Sequence, residues 1–167
     1  MTFILTKKKA IDAVKIDGWN LQKLSEDLKS DKEIVALAVR QDARVLQFAT
    51  AELRNDKRVV LDALMGDGEA VIYSSTNLRN DRDVILKAVK LYGCWLEDAS
   101  EMLRDDKEIV QIAIATYGFA LRVASNRLRN DRDVVLEALR TGEDVLQFAS
   151  TELRGDKDIV LEAVREC

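Results

Sequence analysis

Residues 128–139 read Leu128-Arg129-Asn130-Asp131-Arg132-Asp133-Val134-Val135-Leu136-Glu137-Ala138-Leu139. An aspartate opens the phrase, a cation and an acid follow, and apolar residues then recur at helical spacing. This is one face of an amphipathic helix behind an N-cap, the Asp131 carboxylate accepting from the free N–H groups of the first turn. Similar phrases begin at Asp31, Asp56, Asp81, Asp106 and Asp156, always in a 25-residue register without insertions. One period earlier the register lands on Thr6. Self-similarity at a fixed period marks a repeat architecture, in which no unit buries its apolar face alone. The 167 residues parse as five lead-in residues, six full repeats and the first 12 residues of a seventh.

With columns counted from the Asp, column 8 is Ala in every repeat, from Ala13 to Ala163. Column 23 is Leu in all six full repeats, from Leu28 to Leu153, and column 20 is always Ser or Thr. Columns 4, 5, 8 and 9 form one apolar stripe; columns 16, 19/20 and 23 form a second. The spacing predicts helix A over columns 2–11 and helix B over columns 14–22, with a tight turn after each. Thr6 is expected to cap the first repeat as Asp caps the others. At column 13, Gly18, Gly68, Gly93 and Gly118 are expected to supply the left-handed backbone that ends helix A. Helices of about ten residues are not stable alone, so they must stack. The fold class is all-α: an α-solenoid of 25-residue helix-turn-helix repeats, six full repeats plus a half repeat. One domain over 1–167 is expected, with the first and last repeats as caps. In the first, Lys7-Lys8-Lys9 makes a polar outer face, and Phe3 on column 23 carries the pattern into the lead-in.

Composition excludes several chemistries. There is no His, so no Ser-His-Asp or Cys-His arrangement forms and the commonest metal ligand is missing. The two cysteines, Cys94 and Cys167, lie far apart, which excludes CxxC chemistry and favours a reducing compartment. No apolar run approaches a membrane span. Asp-x-Asp at 81/83, 131/133 and 156/158 follows from cap and first-turn logic and needs no metal. Cys94 reads as an inert thiol. No enzyme, cofactor or metal is expected.

Two groups of residues stand out. Column 2 is basic in all seven repeats: Lys7, Lys32, Lys57, Arg82, Lys107, Arg132 and Lys157. A cation at the first helical position opposes the macrodipole, so its recurrence needs a cause. One is pairing with the column 1 and column 3 carboxylates of adjacent repeats. The alternative is an anion site, Lys32, Lys57, Arg82, Lys107, Arg132 and Lys157 holding RNA, inositol phosphate or an acidic peptide. The column 1 acids, the net charge of −4 and a pI near 5.1 weigh against nucleic acid. Column 24 is basic too, at the favourable end of its helix. The second group lies in and beside the variable columns 14 and 18. Trp19, Tyr92, Trp95, Tyr117 and Phe119 are candidate partner-binding anchors, the last four clustered across two consecutive repeats. Phe48, Tyr73 and Phe148 read as half-buried lids over helix A.

The phrase at 128–139 and its siblings resemble the repeat family catalogued as domain of unknown function 4116. The resemblance covers nearly the whole chain and rests on the Asp-[Lys/Arg]-x-[Val/Ile]-[Val/Ile] opening and the Leu-[Arg/Lys] close. It implies a helical array of a kind found in proteins of protists and intracellular bacteria, some of them effector-like, with no catalytic motif. The expected function is a non-enzymatic protein–protein interaction scaffold, intracellular, cytoplasmic or delivered into a host cytosol. Polyanion binding is the alternative, and the ends of such an array are candidates for end-to-end self-association.

Overall fold

The computed structural model describes residues 6–142 and 144–166. The lead-in with Phe3, and Cys167, lie outside the described residues. Seven α-helices recur at the predicted register: α1 Lys7–Ile16, α2 Lys32–Val39, α3 Lys57–Ala63, α4 Arg82–Leu91, α5 Lys107–Thr116, α6 Arg132–Leu139 and α7 Lys157–Glu166. The described residues contain no strand, and the chain is an all-α repeat solenoid. Its contacts divide it into two compact units, Met1–Lys87 and Ala88–Cys167.

Helix A forms as expected. Asp31, Asp56, Asp106 and Asp131 each accept from the two N–H groups at columns 3 and 4. Thr6 does not: its side chain makes no cap hydrogen bond. Columns 4, 5, 8 and 9 fill the core, Ile34, Val35, Ala38 and Val39 in the first unit and Ile109, Val110, Ala113 and Ile114 in the second, all fully buried.

Two expectations are corrected. The first concerns the glycines. Among the described residues only Gly142 has a positive φ, 73°, so the column 13 glycines do not end helix A by a left-handed turn. Their role is close approach. A Cβ on Gly18 would lie 2.7 Å from the Ala38 carbonyl oxygen, and one on Gly93 2.0 Å from that of Ala113. The turn of one repeat therefore rests on the column 8 backbone of the next, and the invariant Ala keeps that surface low.

The second correction concerns helix B, which is not continuous. In the first unit it is a 3₁₀ stretch, Gly18–Lys23 and Ala43–Phe48, then a single turn, Glu26–Lys29 and Ala51–Arg54. The second unit repeats the pattern with Gly118–Val123 and Asn126–Arg129. Columns 19 and 20 between the pieces are extended, as at Ala124 (ψ 156°) and Ser125 (ψ 156°). The column 20 N–H is committed elsewhere, donating to the column 24 carbonyl of the preceding repeat: Ser75 to Arg54 at 2.9 Å, Ser125 to Arg104 at 3.0 Å and Ser150 to Arg129 at 2.9 Å. It cannot also continue the helix. The hydroxyl caps the following turn, Ser125 accepting from the Leu128 N–H at 3.2 Å. It also donates backward to the column 25 side chain: Ser75 to Asn55 at 2.6 Å, Ser150 to Asn130 at 2.5 Å, and Ser125 to Asp105. Thr50 shows what happens without that acceptor. The repeat before it carries Ser30 at column 25, whose hydroxyl bonds Asp27, and the Thr50 hydroxyl is buried without a partner.

Two stability predictions follow from these contacts. Gly93→Ala is expected to cost about 1–3 kcal/mol by overpacking. Gly66→Ala, with 3.7 Å of clearance and no positive φ, should be neutral or gain about 0.4–1 kcal/mol. Urea denaturation of both variants checks the contrast. Ser125→Ala removes a cap and an inter-repeat donor together and should cost about 1–2 kcal/mol by the same measurement.

Candidate functional site

The column 2 cations form a ladder. Lys7 pairs with Asp31 (2.8 Å) and Glu33 (2.9 Å), Lys32 with Asp56 (2.5 Å), and Lys57 with Asp81 (2.9 Å) and Asp83 (2.7 Å). In the second unit Lys107 pairs with Asp131 (2.7 Å) and Arg132 with Asp156 (2.7 Å). Arg82 is not free either. Lys7, Lys32, Lys57, Lys107 and Arg132 each reach column 1 of the next repeat, and all but Lys32, for which column 3 is Arg58, also reach an acid at column 3, which is why column 2 tolerates the wrong end of the macrodipole. Lys157 makes no ion pair among the described residues. The ladder uses the capping carboxylates, so Asp31, Asp56, Asp81, Asp131 and Asp156 each hold a helix start and the repeat before it.

Column 24 is partly buried and structural. Arg129 donates from Nε to the Phe148 carbonyl (2.5 Å), and the Nε of Arg104 is buried at the corresponding place.

The aromatic candidates separate into two groups. Trp19 is built into the seam between the first two repeats. Its indole N–H donates to Asp42 (2.8 Å), its ring meets Phe48 edge-on at 5.7 Å, and the Arg44 guanidinium lies over it at 5.4 Å. Asp42 also accepts from the Arg44 side chain (2.7 and 3.0 Å), and the Arg44 guanidinium is the main reason its carboxyl falls to about 2. Phe119 repeats the arrangement in the second unit, edge-on to Phe148 at 5.7 Å. Phe48 and Phe148 are thus lids, but over the column 14 side chain of the preceding repeat.

The expected cluster of Tyr92, Trp95, Tyr117 and Phe119 is only partly assembled. Tyr117 and Phe119 touch at 5.7 Å, whereas Tyr92 and Trp95 make no ring contact among the described residues. Trp95 is half-buried, with its indole N–H buried. The exposed members are Tyr92 (59%), Tyr117 (40%) and, beside them, Leu91 (41%). They sit where α4 and α5 end. A groove of about 340 Å³ continues this edge, lined by Ala115, Thr116, Tyr117, Gly118, Arg140 and Thr141.

Comparison with protein families now gives a positive result. A family model described as Domain of unknown function (DUF4116) matches six overlapping windows: residues 7–54, 37–79, 56–104, 81–129, 106–154 and 131–167. The chain belongs to this family. Comparison with curated proteins and with solved structures returns no significant match. The windows tile the same 25-residue register that the DUF4116 ladder and caps follow.

Sequence reading missed column 12. Asp17, Asp42 and Asp67 occupy it in the first three repeats and cap the following arm, accepting from the N–H groups of Trp19, Arg44 and Glu69 at 2.9 Å each. Tyr92 and Tyr117 occupy it next and make no such bond. The replacement of Asp by Tyr at a fixed column was the available signal. Cys94 is exposed and its thiol is pushed up by burial of its sulfur, which leaves it a poor nucleophile at neutral pH.

The ladder sets a pH dependence. Burial opposes ionisation of Asp31, Asp56, Asp81 and Asp131, but the preceding cation and the first-turn N–H groups outweigh it and hold each carboxyl below its ordinary value. Lys57 is raised chiefly by its hydrogen bonds to Asp83 and then Asp81, and Lys107 chiefly by its hydrogen bond to Asp131. A lowered folded-state carboxyl stabilises above its unfolded pKa, about 3.9, and that stability is lost as pH falls through the folded value. Raised lysines stabilise fully below about 10.4 and lose the effect above it. Urea midpoints should be level from about pH 5 to 9 and fall below about pH 4, with a shallower acid limb in Lys107→Met.

Proposed function

We propose that the chain is a non-enzymatic protein-interaction scaffold whose contact surface is the exposed edge of Leu91, Tyr92 and Tyr117. One observation carries the reading. The constant columns are used internally, in caps, core, ladder or inter-repeat bonds, while this edge presents large apolar groups at 40–59% exposure beside a groove. Solvent-facing aromatics on a rigid stack are what a partner surface requires. Trp19 and Phe119 support the stack from within the seams, and Trp95 supports it from a half-buried position.

The polyanion alternative is weaker because its cations already hold carboxylates at 2.5–2.9 Å, as Lys32, Lys57 and Lys107 show. An anion would have to displace the caps that start the helices. No helix among the described residues is long and apolar enough to cross a membrane. The proposed setting is intracellular, cytoplasmic or a host cytosol, in keeping with the sparse cysteines.

The test is affinity capture from lysate with mass spectrometry, comparing the natural chain with Tyr92→Ala/Tyr117→Ala. Captured protein should be lost in the double variant while helical circular dichroism stays unchanged. Equal capture by both chains would remove this edge from the contact surface.

A further inference from the structure

The edge of the second unit differs in charge from its counterpart in the first. Columns 10–12 mark the end of helix A. In the three full repeats that place these columns in the second unit they read Lys90-Leu91-Tyr92, Ala115-Thr116-Tyr117 and Arg140-Thr141-Gly142, all nine exposed and none acidic, while the partial seventh repeat has Arg165-Glu166-Cys167. In the first unit the same columns read Lys15-Ile16-Asp17, Arg40-Gln41-Asp42 and Met65-Gly66-Asp67. There Arg40 pairs with Asp62 at 2.9 Å, Lys15 makes no ion pair among the described residues, and every column 12 residue is an aspartate. Lys90 and Arg140 make no ion pair among the described residues. Two cations with no ion pair among the described residues thus flank two exposed tyrosines and a leucine, with the Thr116–Arg140 groove between the second tyrosine and the second cation.

Neighbouring repeats are fixed to one another along this edge. The Thr116 hydroxyl lies 3.3 Å from the Val89 carbonyl, and Gly93 rests on Ala113. Lys90 and Arg140 are two repeats apart, about 16–20 Å at ~8–10 Å per packed helix. An extended chain rises about 3.3 Å per residue, so five or six residues span that distance.

We infer that this edge binds an acidic peptide segment in extended form, its carboxylates on Lys90 and Arg140 and its apolar side chains on Leu91, Tyr92 and Tyr117. The inference rests on the scaffold reading and names the partner's chemistry. A nucleic acid fits less well. Two cations neutralise two phosphates at most, too few to hold a polyanion against a chain of net charge −4. A peptide needs only its two end charges matched, with the apolar middle supplying the remainder.

The experiment titrates the full chain into a fluorescein-labelled eight-residue peptide with Glu at both ends and Leu and Phe between, read by anisotropy at low salt. A charge-swapped peptide with Lys ends and a single-stranded oligonucleotide serve as comparison probes. The Glu peptide should bind, the Lys peptide should not, and Arg140→Glu or Lys90→Glu should weaken the Glu peptide roughly five- to tenfold. Both cations are exposed and make no ion pair among the described residues, so neither variant should lower the melting temperature. Absence of binding by the Glu peptide, equal binding by the Lys peptide, tighter binding by the oligonucleotide, or indifference to both charge reversals would overturn the inference. The inference fails separately from the scaffold reading: a lysate partner lost in Tyr92→Ala/Tyr117→Ala but retained in Arg140→Glu would leave the scaffold standing without the acidic peptide.

Discussion

The structure depends on one close approach, the turn of each repeat lying against the column 8 backbone of the next. With a Cβ on Gly93 this contact would close to 2.0 Å, so that turn takes no side chain, although the second repeat holds the same column with Ala43. Once the two backbones meet at that spacing, the remaining inter-repeat bonds come within reach. Lys107 reaches Asp131, Ser125 reaches both Arg104 and Asp105, and Phe119 reaches Phe148. Each is modest alone. Repetition at a fixed offset turns them into the cohesion of an array whose stability is nearly a sum of neighbour terms.

That offset also explains the charge pattern. A cation at the first helical position is unfavourable within its own helix, yet it recurs because its partners lie in the next helix. The capping Asp serves two masters, its own first turn through the N–H groups and the previous repeat through the ammonium. Removing one such Asp would therefore uncap a helix and release a neighbour together. A site with this double use is a poor place for an exchangeable ligand, and this is why the basic column reads as framework rather than as a binding surface.

Helix A was legible from sequence because its determinants are local: an Asp cap, an acid near the dipole's positive end, and apolar residues at helical spacing. The second arm was not. Ser or Thr at column 20 continues an apolar stripe or caps a new turn, and the choice is made by a carbonyl in the preceding repeat. The glycines carried a similar ambiguity, since a small residue after a helix suits either a left-handed turn or a close approach. The candidate site was legible as residue types and not as an assembly. Trp19 and Phe119 looked free because column 14 varies, but it varies together with column 18, Trp19 with Phe48 and Phe119 with Phe148. Variation in a repeat can thus mark a coupled pair inside a seam as well as a surface open to partners.

Column 12 separates those two meanings. Where it is Asp, the carboxylate satisfies the next arm's N–H and, at Asp42, also gathers an indole and a guanidinium. The residue is then consumed by the fold and the edge is electrically closed. Where it is Tyr, the cap bond is given up, and Tyr92 lies 59% exposed with no ring contact among the described residues. A repeat that forgoes a stabilising cap to present an exposed aromatic at the same column has exchanged an internal bond for an external surface. The exchange occurs in two consecutive repeats, beside Lys90, which makes no ion pair among the described residues. In an array where each column otherwise serves its neighbours, Tyr92 is the residue whose place stacking does not explain, and the proposed contact surface begins there.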